Sequence, residues 1–116
     1  MSYITATELQ ILSFFEVEPS KLDPNDPWIY NDCCYQVDAG GLSLSCSIAP
    51  AYKDVRITLK QGDARIYELN ARAIEDLRYH QENNRESLEF ILGPNETLWL
   101  RLKPSIELLH EHRESA

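Results

Sequence analysis

Long apolar runs are missing from this sequence, and none approaches the roughly 20 residues that carry a helix across a bilayer, so no membrane partner is expected. Basic residues are also scarce, with 11 Lys plus Arg against 19 Asp plus Glu and a formal charge of -8. A surface of that sign repels a phosphate backbone instead of releasing its counterions, so no nucleic acid is expected as a direct partner. Cysteine is limited to Cys33, Cys34 and Cys46. Adjacent strand residues point to opposite faces, so Cys33 and Cys34 cannot bridge each other on a strand. An odd set of reduced thiols fits a cytoplasmic location, with one geometry left open, Cys46 facing Cys33 or Cys34 across neighbouring strands. The four glycines, Gly40, Gly41, Gly62 and Gly93, all stand at turn signals, which excludes a Gly-rich phosphate loop. A nucleophile elbow, a zinc-type His-Glu-X-X-His and a calcium loop are absent as well, so neither cofactor nor metal is expected. Met1 is followed by Ser-Tyr-Ile-Thr, without the basic start and apolar stretch of a secretory signal, and none is expected.

What remains is an ordinary globular composition, 43% hydrophobic and 26% charged over 116 residues. A chain of this length buries roughly two-thirds of its unfolded surface, enough for one core. No repeat, low-complexity tract or linker divides it, so residues 1–116 read as a single domain.

The first element is a helix over about 6–15. Thr5 is placed as N-cap with Glu8 closing a capping box, and Ile4 and Leu9 as a hydrophobic staple. Its buried stripe is read as Leu9, Ile11, Leu12 and Phe15. Pro19, Pro24 and Pro27 make residues 18–27 a loop, and a period of two begins at Trp28. Leu42, Leu44, Cys46 and Ile48 alternate with serines, and Val55, Ile57 and Leu59 alternate with Arg56, Thr58 and Lys60. Residues 64–70 continue the meander. Residues 71–79 also fit a short helix, but downstream pairing decides for strand at Leu77. A two-residue turn at Asn83-Asn84 sets Tyr79 opposite Leu88, Arg78 opposite Glu89 and Leu77 opposite Phe90. Leu98, Leu100 and Leu102 form another amphipathic strand, and a short strand and frayed tail follow Pro104. The expected fold is α+β: an N-terminal helix packed on a curved antiparallel meander of six or seven strands, or on a partly closed barrel.

His110 and His112, with Glu111 and Glu114, are read as a solvated tail and not as metal ligands, because no third ligand or supporting partner has an evident position. His80 is read as a partly exposed hairpin histidine and the thiols as buried small hydrophobes. Two features point to a partner. Ile91, Trp99 and Arg101 share the outward side of the late strands, and Trp and Arg are enriched in binding hot spots. We expect the helix to cover this face and make Trp99 core; the alternative leaves it free for a partner. The second feature is the stretch 16–38, where Glu16, Glu18, Asp23, Asp26, Asp32 and Asp38 face Lys21 alone. Asp23, Asp26 and Asp32 are candidate contacts, although a solvated loop is the plainer reading.

Small acidic bacterial immunity proteins, which bind and neutralise a toxin domain, are similar in size, charge and β-rich style; the likeness is one of type and no motif carries it. The expected function is accordingly a non-catalytic protein-binding module, in its sharpest form an immunity-type inhibitor of a basic toxin domain. The alternative is a small-ligand-binding protein or enzyme using the concave face of the curved sheet.

Overall fold

A computed structural model describes residues 3–113. After one helix, the alternating segments form two open antiparallel sheets instead of one meander. Helix α1 (Glu8–Phe15) is followed by the two-residue strand β1 (Ser20–Lys21) and a 3-10 turn (Trp28–Tyr30). Strands β2 (Cys33–Ala39), β3 (Leu42–Ala49), β4 (Asp54–Gln61) and β5 (Ala64–Ala71) complete a first sheet ordered β1-β2-β3-β4-β5. Strands β6 (Asp76–Glu82), β7 (Arg85–Gly93), β8 (Glu96–Arg101) and β9 (Glu107–His112) form the second, ordered β6-β7-β8-β9. Neither sheet closes, so the expected barrel is not formed, and among the described residues nine strands replace the six or seven expected.

The split falls in the stretch whose pattern was ambiguous. Ala73 takes a left-handed φ of 51°, its N–H donates to Asp54 Oδ1 at 3.0 Å, and the Ile74 N–H donates to the Lys53 carbonyl at 2.9 Å. These bonds take up the backbone donors that would have continued the ladder from β5 to β6. The chain thus crosses to the second sheet with Ile74 plugged into the core, 2% exposed.

Two-residue periodicity then gives each sheet one apolar face. Tyr35, Leu44, Cys46, Ile48, Val55 and Ile57 line the inner side of the first sheet, and Leu77, Leu88, Phe90, Leu98 and Leu100 that of the second; all belong to one buried cluster. Fully burying such side chains contributes about 1.5–3 kcal/mol each. At one end β5 and β9 are linked by side chains, Tyr67 Oη lying 3.4 Å from His110 Nδ1.

The helix meets β2 and β7, one strand of each sheet, and closes the core between them. Its start lies two residues later than expected. Thr7 is the N-cap, accepting from the Gln10 N–H at 3.2 Å while Gln10 Oε1 accepts from the Thr7 N–H at 3.0 Å. Thr5 is unavailable, because its N–H and hydroxyl both donate to the Asp76 carboxylate of β6. This tertiary contact selects between two overlapping capping boxes. The buried stripe becomes Ile11, Phe14 and Phe15, and Leu9 is left 76% exposed. Ser13 Oγ donates to Glu86 Oε2 of β7 at 3.0 Å, a second tie between helix and sheet.

Trp28 does not begin a strand. Pro27 presets the 3-10 turn, in which Tyr30 N–H donates to the Pro27 carbonyl and Asn31 N–H to that of Trp28. The indole of Trp28 is buried and donates to Tyr35 Oη at 3.1 Å. Cys46 stands opposite Tyr35, with Cys33 opposite Ile48 and Cys34 opposite Ser47, and all three thiols are free.

The hairpin of β6 and β7 has the register read from the sequence: Leu77 faces Phe90, Arg78 faces Glu89 and Tyr79 faces Leu88. Asn83 and Asn84, at φ 51° and 62°, form the turn. Asn adopts this region at lower cost than alanine, which is held there at Ala73 only by the bonds from its own and the next N–H. Asn84→Ala should therefore cost about 1 kcal/mol in urea unfolding, while Asn84→Gly should cost nothing; equal losses from both would show that the left-handed backbone is not what the position requires.

The Asp76 carboxyl is subject to opposing influences. Burial raises its pKa, and hydrogen bonds from the Thr5 hydroxyl, the Thr5 N–H, Arg78 and the Leu77 N–H outweigh this and hold it below the ordinary 3.8. A folded value below the unfolded one stabilises the protein above the ordinary carboxylate pKa, and that contribution fades as pH falls through the folded value. Urea midpoints taken from about pH 6 to about pH 2 should fall more steeply in the wild type than in Asp76→Asn, the two curves converging at the acid end; parallel curves would remove Asp76 as the cause.

Candidate functional site

Strands whose inner residues are buried must present their intervening residues outward. In the second sheet those positions hold Arg78 and His80 on β6, Ser87, Glu89 and Ile91 on β7, Thr97, Trp99 and Arg101 on β8, and Leu109 and Glu111 on β9. Trp99 stands opposite Glu89 on one side and Leu109 on the other. It is half-buried, its indole N–H donates to Glu111 Oε1 at 3.1 Å, and its ring centroid lies 5.3 Å from that of His80. His80 is held in turn by Glu89, Nε2 to Oε1 2.8 Å.

Trp99 is therefore not core, contrary to expectation. The helix meets β7 from the inner side, where Leu88 and Phe90 lie, and leaves the outer side open. Leu109, 57% exposed, extends the apolar centre beside Trp99. Sequence reading missed it, although two leucines in succession, Leu108 and Leu109, require one of them to face outward on a strand. Ile91 lies on the same face, opposite Thr97, and is half-buried. Charged side chains rim this centre. Apolar middle and charged rim is the usual anatomy of a protein interface.

Two hollows flank Trp99. One, of about 310 Å³, is lined by His80, Glu82, Arg85, Ser87 and Arg101 as well as the indole. The other, of about 200 Å³, is bounded by Glu89, Thr97, Glu111 and Arg113. The inner faces of both sheets are filled by core side chains, so these concavities lie on an outer surface.

In fold, the chain resembles a solved structure. A chain of the "Contact-dependent growth inhibition toxin - immunity protein complex from Klebsiella pneumoniae 342" matches it with a TM-score of 0.76 at 18% identity, over 91% of this chain and 93% of that one. Neither a protein family nor a curated protein matches this sequence.

The acidic candidates do not join Trp99. Asp23 and Asp26 lie on the loop before the 3-10 turn, beside the first sheet. Asp32 is paired with Arg56, Oδ2 to Nη2 2.7 Å, with the two side chains 30% and 59% exposed. Glu16 is likewise paired, with Lys103 at 2.8 Å. Exposed pairs of this kind contribute at most about 1 kcal/mol, but they neutralise two of the acids grouped together in the sequence. The loop backbone is fixed by Asn31, only 4% exposed, whose amide donates to the Asp23 and Asp26 carbonyls and accepts from the Asp23 and Asp32 N–H groups. Nothing in the sequence pattern marked this asparagine. Leu22 and Tyr30, 82% and 58% exposed, border the same loop.

Burial pushes the Cys33 thiol up to about 11 and also raises that of Cys46, so neither is a thiolate near neutrality. His110 is not in a solvated tail: it sits in β9, with Nε2 2.6 Å from Glu96 Oε2. Among the described residues no cluster of three His, Cys, Asp or Glu side chains is placed to hold a metal, and Glu114 lies outside them. No helix there is long and apolar enough to cross a membrane.

An open Trp99 makes a spectroscopic prediction. Trp28 is 8% exposed, so acrylamide should quench chiefly Trp99. Trp99→Phe should remove most of the quenchable emission and change stability by no more than about 1 kcal/mol; a large loss of stability would return Trp99 to the core.

Proposed function

We propose that this chain is a single-domain, non-catalytic protein-binding module, in its sharpest form an immunity-type inhibitor that docks on a basic toxin domain in the cytoplasm. The observation that carries the reading is the likeness in fold, over nearly the full length of both chains, to a chain from a toxin–immunity protein complex. The outer face of the second sheet supports it, because Trp99 and Leu109 supply apolar area and Arg101 and Glu111 a charged rim. The formal charge of -8 supports a basic partner through steering at long range. The reading needs no cofactor, nucleic acid or membrane. Ile91 adds to the Trp99 face, while Asp23 and Asp26 serve as steering charges and Asp32, neutralised by Arg56, adds little to them.

The test pairs this chain with the product of the gene beside its own in the source genome, which this reading expects to carry a toxin domain. Co-expression should restore growth, and the purified proteins should form a complex whose association slows at least about tenfold between low and high salt. Trp99→Ala should weaken the complex by roughly thirtyfold or more. Toxicity unaffected by this chain, together with no complex at micromolar concentrations, would refute the proposal.

A further inference from the structure

The hollow beside Trp99 contains an arrangement that an acidic protein has little cause to keep. Among the strand arginines, Arg56, Arg65 and Arg78 each hold a carboxylate, at 2.7, 2.9 and 3.1 Å. Arg85 and Arg101 hold none among the described residues, although Glu82 stands opposite Arg85 and Glu107 opposite Arg101 in the ladders. Both unpaired guanidinium groups line the same hollow of about 310 Å³, with the Trp99 indole as one wall and Ser87 as a further hydroxyl donor. The fold brings them together from separate places, Arg85 from the start of β7 and Arg101 from the end of β8. Glu82 is the one carboxylate on the lining, and the His80 ring is already engaged by Glu89, so positive charge prevails in this recess although the protein as a whole is negative.

We propose that this recess is an anchor site for a carboxylate side chain of the protein partner, gripped by Arg85 and Arg101 while its aliphatic stem lies against Trp99. The inference rests on the binding-module reading and adds to it the chemistry of one contact. Guanidinium groups match carboxylates in a planar, bidentate geometry that lysine cannot reproduce. The occupant is a single acid within a protein surface and not a polyanion, because the overall charge of -8 opposes a nucleic acid strand at every distance beyond the hollow. It is not a free small molecule, because the recess opens on the same face as the exposed Leu109 and would leave much of a small ligand in water. A basic partner carrying one acid at its contact surface satisfies both fields: the global charge brings the partner in, and the local arginines fix its register.

The test uses the intact protein and, as probe, N-acetyl-glutamate N-methylamide, followed by NMR at the Trp99 indole N–H and the Arg85 and Arg101 Nε–H signals. We expect saturable binding in the millimolar range, absent for the matching glutamine compound. Arg85→Ala and Arg101→Ala should each weaken it by roughly tenfold or more, with amide dispersion unchanged elsewhere. No saturable shift, an equal response to the glutamine compound, or indifference to both substitutions would overturn the proposal. Tighter binding at the same signals by inorganic phosphate or a short single-stranded oligonucleotide would overturn the assignment to a protein carboxylate. In the complex with the toxin domain, a double Arg85→Ala/Arg101→Ala variant that binds like wild type while Trp99→Ala does not would overturn the anchor alone. Probe binding without any protein complex would instead overturn the binding-module reading and leave only the carboxylate site.

Discussion

Burial of two apolar sheet faces against one another is the constraint from which the rest of the molecule follows. Each strand must send alternate side chains into one shared core, and whatever stands between them is forced outward. Leu98 and Leu100 are fully buried, which turns Trp99 and Arg101 to the opposite face. The helix takes the remaining gap by touching one strand from each sheet, and so cannot also shield an outer face. An outward-facing, half-buried aromatic centre on the second sheet is in this sense a product of the core.

Legibility in the sequence followed the range of the interaction concerned. The turn at Asn83-Asn84 and the pairing of Leu77 with Phe90 depend on neighbours a few residues apart, and there alternation and turn chemistry suffice. Helix capping failed because the deciding group, Asp76, is 71 positions from Thr5. The division into two sheets was hidden for a similar reason: Ala73 is captured by Asp54, 19 positions away on the neighbouring strand β4, and local propensity around Ile74 is silent about that. Of the candidate site, the shared face of Ile91, Trp99 and Arg101 was readable from alternation. Its openness, and the company of Leu109, Arg85 and Ser87, depended on where the helix and the hairpin end come to lie.

The acidic segment was legible as composition and misleading as a cluster. Asp32 and Glu16 turn to Arg56 and Lys103, so charge adjacent in the chain is dispersed in space. What acts at a distance is the sum over the molecule, and what acts in contact is the local arrangement. The two differ in sign here, a negative whole and a recess lined by two arginines that hold no carboxylate among the described residues.

Asn31 separates the shape of the proline-rich loop from its chemistry. One side chain, reaching four backbone groups, sets the path from Asp23 to Asp32, and none of those bonds consults the side chains it arranges. Exposed residues along this rim, apart from Asp23, whose carboxylate accepts from the Asn25 N–H, and Pro27 of the 3-10 turn, can therefore be exchanged with little change of outline, so the loop behaves as a fixed mount with some replaceable fittings. A lineage under pressure to change partners would have in it a surface free to vary while the interior stands still.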